Sequence, residues 1–433
     1  MKRLIKKGDP QRTQEIVLGQ DAYLDTLYGC FRLHNPKGDA FAPRREVELL
    51  ARSGKTVRVT VPPAMKVELP ADQKVVNTDC FHLEEIGRHS DSMHLLTMRA
   101  GWNQTARDIR RMIKLDKHGS FVAKITGTGF DIPIATSSVL ALGRNNTWIG
   151  MILVHPEVRR QGIANAMMQA CVRYALEQGK VINGLDATPM GNTVYGAVGY
   201  VNSYRLWRSV FQLAEFAGKP FDRQRVTPMT QTDLPAVIRY DASAFLERED
   251  ILRKLFEDSA GGCFVYRNDA GAVQGYCYSR PGRIRPFVGP FIADTEEIAR
   301  QLLTAVSLKL LEDPTNETAF LDTPESKFAD RGMYVERAFE QEKKPSGHRL
   351  SATLKPVRDF TRMYQLVHDT EADALVNRFM QAEGLRKESP RVADFATTMN
   401  RAVNNYTETL AFMTLERESL QQKYWGITGP EKG

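Results

Sequence analysis

The spacing of hydrophobic positions changes repeatedly between residues 89 and 212, which predicts alternating helices and strands. Residues 105–119 place Ile109, Met112 and Ile113 on one helical face. Residues 164–179 form a second helix, with Gly179 as its C-terminal stop. A short helix is predicted at 192–200. Apolar runs rich in β-branched residues predict buried strands at 120–127, 132–143, 148–154, 181–188 and 201–210.

The first 88 residues form an extension with a different pattern. Residues 55–61 alternate between polar and apolar side chains as a half-buried strand does, and Pro62 and Pro63 end this strand. We expect Val67 and Leu69 to return as the second arm of a β-hairpin. The pattern leaves open whether residues 1–88 are a small appended β element or an arm that binds a partner.

Residues 222–348 repeat the order of elements predicted for 89–212. The segment 185–189 (LDATP) recurs as 321–324 (LDTP). The segment 199–201 (GYV) is echoed by 333–335 (MYV), at nearly the same distance from the proline that ends the first fragment. Shared fragments in the same order and at similar spacing predict a duplicated domain.

From residue 355 to residue 433 the sequence predicts a helical C-terminal segment. Ser389 and Pro390 suit the N-cap and the first turn of a helix. Apolar side chains then recur every three or four residues and form a stripe: Val392, Phe395, Met399, Val403, Tyr406, Leu410 and Met413. Such a helix would pack on the preceding domain or join copies of the chain into a homo-oligomer.

Composition narrows the class of protein without naming a function. The 433 residues carry a net charge of +7, which admits an anionic ligand without requiring one. No basic segment is interleaved with aromatic residues, so we do not expect a nucleic-acid partner. The sequence contains no run of about 18 apolar residues, so we expect no membrane span. The five cysteines are dispersed and form no CxxC pair, so we expect a cytoplasmic protein without a disulfide framework or a metal site.

The stretch 148–164 (WIGMILVHPEVRRQGIA) carries the candidate chemistry. An apolar strand ends at Val154, a loop with Arg159 and Arg160 follows, and a helix begins near Gly162. Backbone N–H groups in such a turn point at one spot, where the helix dipole adds about half a positive charge. Pyrophosphate is the natural occupant, and the missing Cβ of Gly162 lets the backbone approach it closely.

The pattern Arg159-x-x-Gly162-x-Ala164 after a strand ending at Val154 resembles the acetyl-coenzyme A signature of the GNAT superfamily of N-acetyltransferases. A second motif, 194–200 (VYGAVGY), resembles the family's Leu-Tyr-Glu-x-x-Gly-Phe segment, and the order of elements agrees. The resemblance implies an α/β fold of the α+β type. We expect tandem GNAT-like domains at 89–212 and 222–348, each a mixed, mostly antiparallel sheet flanked by helices, followed by the helical C-terminal segment.

The resemblance also implies roles for individual residues. Leu153 and Val154 would pair with the pantetheine arm, and one of their N–H groups would stabilise the charge that develops on the thioester oxygen. Tyr195 would act as the general acid that protonates the departing thiolate, unless it only packs on the sheet. Arginine side chains and backbone N–H groups of the loop would hold the pyrophosphate: Arg159, Arg160, Gln161, Gly162, Ile163 and Ala164.

Two features of the first domain depart from the family's pattern. Thr188 stands where the family often has asparagine, and the strand 148–154 lacks an acidic residue that could act as a base through water. Asp186 and His155 are substitutes by residue type only. Many members of the family need no dedicated base, since a bound amine can lose its proton to solvent.

The second copy lacks the Arg-x-x-Gly-x-Ala pattern. Asp294, Glu296 and Glu297 fall near the start of its corresponding helix, where acidic side chains would repel a pyrophosphate. We therefore expect this domain to keep the fold without binding the cofactor.

The resemblance implies transfer of an acetyl group from acetyl-CoA to an amine by direct attack on the thioester. Small molecules and peptides both remain open as acceptors. The alternative is a non-catalytic adaptor or structural protein with the GNAT fold, which presents its terminal segments to a partner. Thr188 and the missing base favour the adaptor, whereas the intact loop and Tyr195 favour the enzyme.

Overall fold

The structure is a computed structural model of a chain that divides into two compact units. The first comprises Met1–Gly184, Met190–Val201 and Gln365–Tyr406, and the second comprises Leu185–Pro189, Asn202–Tyr364 and Thr407–Gly433. The structure describes residues 21–26, 29–34, 45–50, 56–61, 66–68, 76–77, 81–125, 132–143, 146–159, 162–180, 182–198, 200–245, 247–259, 261–325, 327–328, 353–366 and 424–426. Among these residues, no helix is long and apolar enough to span a bilayer.

The N-terminal extension consists of short antiparallel strands. One hairpin pairs β3 with β4, and a separate sheet has the order β1-β2-β5-β6. The bounds are β1 (Asp21–Thr26), β2 (Gly29–His34), β3 (Arg45–Leu50), β4 (Thr56–Val61), β5 (Lys66–Glu68) and β6 (Val76–Asn77).

The strand predicted at 55–61 is confirmed as β4, but its predicted pairing is wrong. Val59 lies opposite Val47 of β3, and Val67 lies opposite Leu33 of β2. The segment between β4 and β5 begins with two prolines, which lack the N–H groups that a tight hairpin uses. The alternating stretch 45–50 upstream supplies the partner of β4 instead.

The first unit contains a sheet in the order β11-β10-β9-β8-β7, in which only β10 and β11 run parallel. Every element predicted from 105 to 200 is present. The pattern predicted neither β7 nor α1, and β7 shows that this sheet begins before residue 89. The bounds are β7 (Phe81–Glu85), α1 (Ser90–Arg99), α2 (Ala106–Leu115), β8 (Ser120–Ile125), β9 (Ile132–Leu142), β10 (Asn146–Val154), α3 (Ile163–Glu177), β11 (Ile182–Ala187) and α4 (Pro189–Ala197).

The second unit repeats this order of elements, which confirms the duplication predicted from sequence fragments. Two helices, three antiparallel strands, a helix and a parallel strand follow one another, as in the first unit. The bounds are β12 (Val201–Gln212), α5 (Leu213–Ala217), β13 (Val226–Pro228), α6 (Leu234–Ala242), α7 (Glu249–Asp258), β14 (Cys263–Arg267), β15 (Val273–Arg280), β16 (Phe287–Ala293), α8 (Glu296–Leu310), β17 (Thr318–Pro324), β18 (Lys355–Leu366) and β19 (Tyr424–Gly426).

The helical assignment of 355–433 is wrong for its first part, because 355–366 form strand β18. Phe360, Met363 and Tyr364 of this strand are buried, and so is Arg362. A buried arginine in a strand is not recognisable from local spacing, because the carboxylate that neutralises it lies far away in the sequence. Apart from β19, which is also a strand, the remainder of 367–433, including the stripe at 392–413, lies outside the described residues.

Candidate active site

A β-bulge distorts β10 just before the candidate loop. The pairing with β9 shifts register between Gly150 and Leu153. Met151, inside the shift, has a φ of 55°, and its carbonyl oxygen accepts a hydrogen bond from Thr136 Oγ1 at 3.3 Å. A non-glycine residue in the left-handed region is uncommon and marks local strain. The bulge therefore reorients the last residues of β10.

The alternation of hydrogen-bonded and non-bonded residues after the bulge shows which backbone groups of β10 face away from β9. His155 N donates to Ile134 O at 2.8 Å. Because antiparallel pairs alternate between bonded and non-bonded residues, Leu153 also faces β9, whereas Val154 directs its N–H and C=O to the other side. The family resemblance implies the same role for Leu153 and Val154, but the structure directs only the N–H of Val154 away from β9.

The outward side of β10 has only a short partner. Parallel pairing with β11 runs from Asn146 opposite Ile182 to Trp148 opposite Gly184. From Ile149 onward, the strand pairs in the described structure with β9 alone. The end of β10 therefore offers outward backbone groups, with the N–H of Val154 among them, to an extended ligand.

Gly162 stands at the start of α3 with a φ of 79°. Its carbonyl oxygen accepts from Ala166 N at 3.0 Å, so it caps the helix, and Ile163 and Ala164 occupy the first turn. The N–H groups of a first turn have no partner within the helix. No acidic side chain stands in this turn, so the positive end of the helix dipole is not neutralised locally.

Arg159 links this loop to the strand end. A short 3-10 helix, Pro156–Val158, leads from β10 to Arg159, whose Nε donates to Val154 O at 3.1 Å. This contact uses one of the five N–H donors of a guanidinium. Arg160 and Gln161, the two other predicted pyrophosphate ligands, lie outside the described residues.

Tyr195 lies in α4 within a cluster that includes Gly191, Tyr200 and Cys171. The ring centroids of Tyr195 and Tyr200 are 6.3 Å apart. A Cβ on Gly191 would lie 2.7 Å from Cε2 of Tyr195, so this glycine makes room for the phenol ring. Burial, reinforced by the nearby Cys171, raises the pKa of the Tyr195 phenol well above its ordinary value.

Cys171 connects the two parts of the site because it belongs to α3, the helix that begins after Gly162. Its Sγ lies 3.3 Å from Ser137 Oγ, and the side chain is fully buried. Burial raises the pKa of this thiol from 9.0 to about 12. The interior around Cys171 therefore strongly disfavours a thiolate.

Structural contacts hold both residues that the sequence offered as substitute bases. In the first unit, His155 is buried, and its Nε2 lies 3.3 Å from Arg99 Nη1. A guanidinium only donates, so this imidazole nitrogen is the acceptor. In the second unit, Asp186 accepts two bonds from Arg362, at 2.9 and 3.0 Å. Neither arrangement favours a general base.

Sequence reasoning missed three residues that shape the site. Met151 adopts the strained bulge conformation without any signal in the sequence. Gly191 stands one helical turn before Tyr195, so the spacing of four residues could have indicated it. Gln365 in β18 donates from Nε2 to Val198 O at 2.6 Å just after α4, a contact that no local pattern reveals.

Comparison of the chain with models of known protein families identifies its family. The family model described as "Acetyltransferase (GNAT) family" matches residues 89–193, and that described as "Acetyltransferase (GNAT) domain" matches residues 237–348. The chain belongs to the GNAT family. It is a tandem GNAT protein, as the sequence predicted, and family membership supports acyl transfer as its general activity.

Individual proteins are also similar to this chain. An uncharacterized N-acetyltransferase of Bacillus subtilis, YitH, is 26% identical over 223 residues, which are 51% of this chain and 75% of that protein. Among solved structures, a GCN5-related N-acetyltransferase from Kribbella flavida aligns with 18% identity and a TM-score of 0.41, over 67% of this chain and 71% of that one. A tandem GNAT protein from the clavulanic acid biosynthesis pathway aligns with 14% identity and a TM-score of 0.44, over 66% and 96%.

Proposed function

We propose that the first unit binds acetyl-CoA and transfers its acetyl group to an amine by direct attack on the thioester. The observation that carries this proposal is the pairing of two anchors, an outward-facing strand end at Val154 and a helix start at Gly162 with a φ of 79°. The strand end suits the amides of pantetheine, and the helix start suits a pyrophosphate. These residues therefore fit acetyl-CoA as a substrate.

The loop would hold the pyrophosphate through backbone and side-chain donors. A Cβ at Gly162 would strain a backbone that already lies in the left-handed region. Arg159 is anchored on Val154 O by one donor and would direct its terminal amino groups to the phosphates, together with the neighbouring positions. The predicted set is Arg159, Arg160, Gln161, Gly162, Ile163 and Ala164.

The outward N–H of Val154 would stabilise negative charge on the thioester oxygen. Strand pairing and the bulge fix this N–H before the substrate arrives, so it needs no reorganisation during the reaction. Removing one such donor in other enzymes typically costs about 3–4 kcal/mol of barrier. Leu153, which faces β9, would support the strand rather than contact the substrate.

Tyr195 would protonate the departing thiolate. A phenol whose pKa is raised stays protonated at neutral pH, as a general acid must. A raised pKa also makes it a weaker acid. Desolvation of the leaving thiolate would compensate for this, because a low-dielectric site disfavours the charged form and makes the thiolate a stronger base for the phenol to protonate.

The amine acceptor would lose its proton to solvent, since His155 and Asp186 are held by arginines. Within the described ranges, no group of three or more His, Cys, Asp or Glu side chains is arranged to hold a metal ion. The proposal keeps the expectations of a cytoplasmic enzyme without a metal and with a small-molecule or peptide acceptor. Family membership favours this activity over the non-catalytic adaptor.

Calorimetric titration tests the proposal. We expect acetyl-CoA to bind the full chain at one site, and the Gly162→Trp substitution to abolish binding. Gly179→Trp is the matched control, because Gly179 also has a positive φ, of 69°, but stands at the other end of α3 with open space around it. Absence of binding to the wild type would refute the proposal. Binding without turnover on a panel of amines would favour the adaptor.

A further inference from the structure

The second unit repeats the strand arrangement that forms the candidate cofactor groove of the first. β16 carries a bulge in its pairing with β15, between Val288 and Phe291, which lie opposite Ser279 and Cys277. Its parallel pairing with β17 ends at Val288 opposite Leu321. Phe291 and Ile292 therefore follow the bulge and the end of parallel pairing, as Leu153 and Val154 do in β10.

The groove beside β16 is filled by the C-terminal strand β19. Phe291 lies opposite Gly426, and Ile292 lies opposite Tyr424. β19 also contacts β17, so it lies against both strands at the point where they diverge. It therefore occupies the side of β16 that corresponds to the outward side of β10.

The alternation of hydrogen-bonded and non-bonded residues along β16 agrees with its pairing with β19. Just after β16, Asp294 N donates to the carbonyl oxygen of Gln274 in β15 at 2.9 Å. Alternation then directs Ile292 toward β15 and Phe291 toward β19. The outward backbone groups of this strand end are thus used by the chain's own C-terminal strand.

The helix that follows β16 has lost the features of a phosphate site. Thr295 caps α8 with a φ of −136°, and its Oγ1 accepts from Ile298 N at 3.2 Å, which occupies one first-turn donor. Glu296 and Glu297 stand in the first turn. Two carboxylates there complement the helix dipole and repel an anion.

We infer that β19 takes, in the second unit, the place that the first unit offers to pantetheine. The groove has become a binding site for an extended peptide read through its main chain, in the manner of an added β-strand, and its occupant is the segment Tyr424–Gly426 of the same chain. The comparison with pantetheine rests on the proposed function, whereas the occupancy by β19 does not. The chain then binds one acetyl-CoA, and its segment Tyr424–Gly426 stays paired with the second unit.

Hydrogen–deuterium exchange on the full chain tests this inference. In the wild type, acetyl-CoA should slow exchange in 149–154 and leave 287–293 unchanged, because the second groove is already occupied. Gly426→Pro removes the N–H that faces Phe291. It should speed exchange in 287–293 about tenfold or more, the factor that corresponds to losing one to two hydrogen bonds, while 149–154 stay unchanged. Glu431→Pro, beyond the strand, is the control.

Two results would overturn the inference. Unchanged exchange of 287–293 in Gly426→Pro would show that β19 does not pair with β16 in solution. Slower exchange of 287–293 on addition of acetyl-CoA to the wild type would show that the groove is open to the cofactor. If acetyl-CoA instead protects neither segment, the proposed function fails, and the Gly426→Pro comparison still decides the role of β19.

A peptide supplied in trans gives an independent measurement. In the full-length Gly426→Pro chain, a synthetic peptide of residues 420–430 (LQQKYWGITGP) should restore the slow exchange of 287–293. The same peptide with proline at position 426 should not. Equal effects of both peptides would contradict recognition through the main chain.

Discussion

The packing of Tyr195 against Gly191 predicts that a single methyl group will impair catalysis without affecting cofactor binding. A Cβ at Gly191 would lie 2.7 Å from Cε2, 3.0 Å from Cζ and 3.1 Å from the hydroxyl oxygen of Tyr195. Ordinary contact begins near 3.4 Å, so the ring must withdraw by about 0.7 Å in Gly191→Ala. A displacement of about 1 Å in a reacting group can cost about a hundredfold in rate. We therefore expect kcat to fall about 10- to 100-fold.

Gly196→Ala is the matched control for this substitution. Gly196 lies in the same helix, and a Cβ there would meet no atom within 4 Å. Both substitutions gain up to about 1 kcal/mol of helix propensity. Gly196→Ala should therefore raise the free energy of unfolding and leave kcat unchanged. Gly191→Ala loses part of this gain to the displaced ring.

Steady-state kinetics with acetyl-CoA titrations separates the possible outcomes. The dissociation constant of acetyl-CoA should be unchanged in Gly191→Ala, because Gly162 and Arg159 are not altered. Tyr195→Phe should lose about a hundredfold or more in kcat. Wild-type kcat in Gly191→Ala, together with an inactive Tyr195→Phe, would refute the geometric argument. Full activity in both variants would remove Tyr195 from the mechanism.

Three further predictions follow from burial and charge. Because the pKa of Tyr195 is raised, the phenol keeps its proton above the ordinary phenol range. A pH–rate profile of the wild type should therefore show no loss of kcat below about pH 10 that is due to deprotonation of Tyr195. A loss in this range that is present in the wild type and absent in Tyr195→Phe would contradict the prediction. The pKa of Cys171 rises from 9.0 to about 12, so its thiolate fraction at pH 8 falls about a thousandfold, and mass spectrometry should find it unmodified by iodoacetamide in the folded protein and modified in urea. Arg362→Met removes the buried arginine that forms an ion pair with Asp186. This should lower the free energy of unfolding by about 3–5 kcal/mol in urea titrations, and a loss below about 1 kcal/mol would contradict a desolvated ion pair.

Local patterns in the sequence were sufficient for the parts of the fold that local physics determines. The amphipathic face around Ile109 and the buried run at 148–154 each specify an element and its buried side. The glycine at 162 marked a helix start because only glycine adopts its φ without strain. The echo of 185–189 in 321–324 located the equivalent strands of the two domains, β11 and β17.

Features set by contacts distant in sequence were not predictable in this way. β18 contains Arg358, Asp359 and Arg362, and its spacing does not indicate a strand buried within a sheet. Its arginine at 362 is stable there because Asp186, from a strand much earlier in the chain, neutralises it. The wrong partner of β4 has a different, local cause: its actual partner is the adjacent strand β3, and the alternating stretch 45–50 was not recognised as a strand. The separation of Leu153 from Val154 required the bulge at Met151, which no residue type announces.

The degeneration of the second domain shows how a local change and a distant contact depend on each other. The acidic first turn of α8 was visible in the sequence and predicted the loss of an anion site. That loss alone would leave the outward backbone groups of Phe291 beside diverging strands without a ligand to pair with, and buried backbone groups without partners are costly. A strand from elsewhere in the chain removes this cost, and β19 lies at that place. In the first domain the corresponding side of β10, where Val154 is the outward residue, has to stay available if a substrate is to bind and leave. If the proposed function holds, one groove is closed by a main-chain partner from the same chain, and the other is kept for a substrate that binds and leaves.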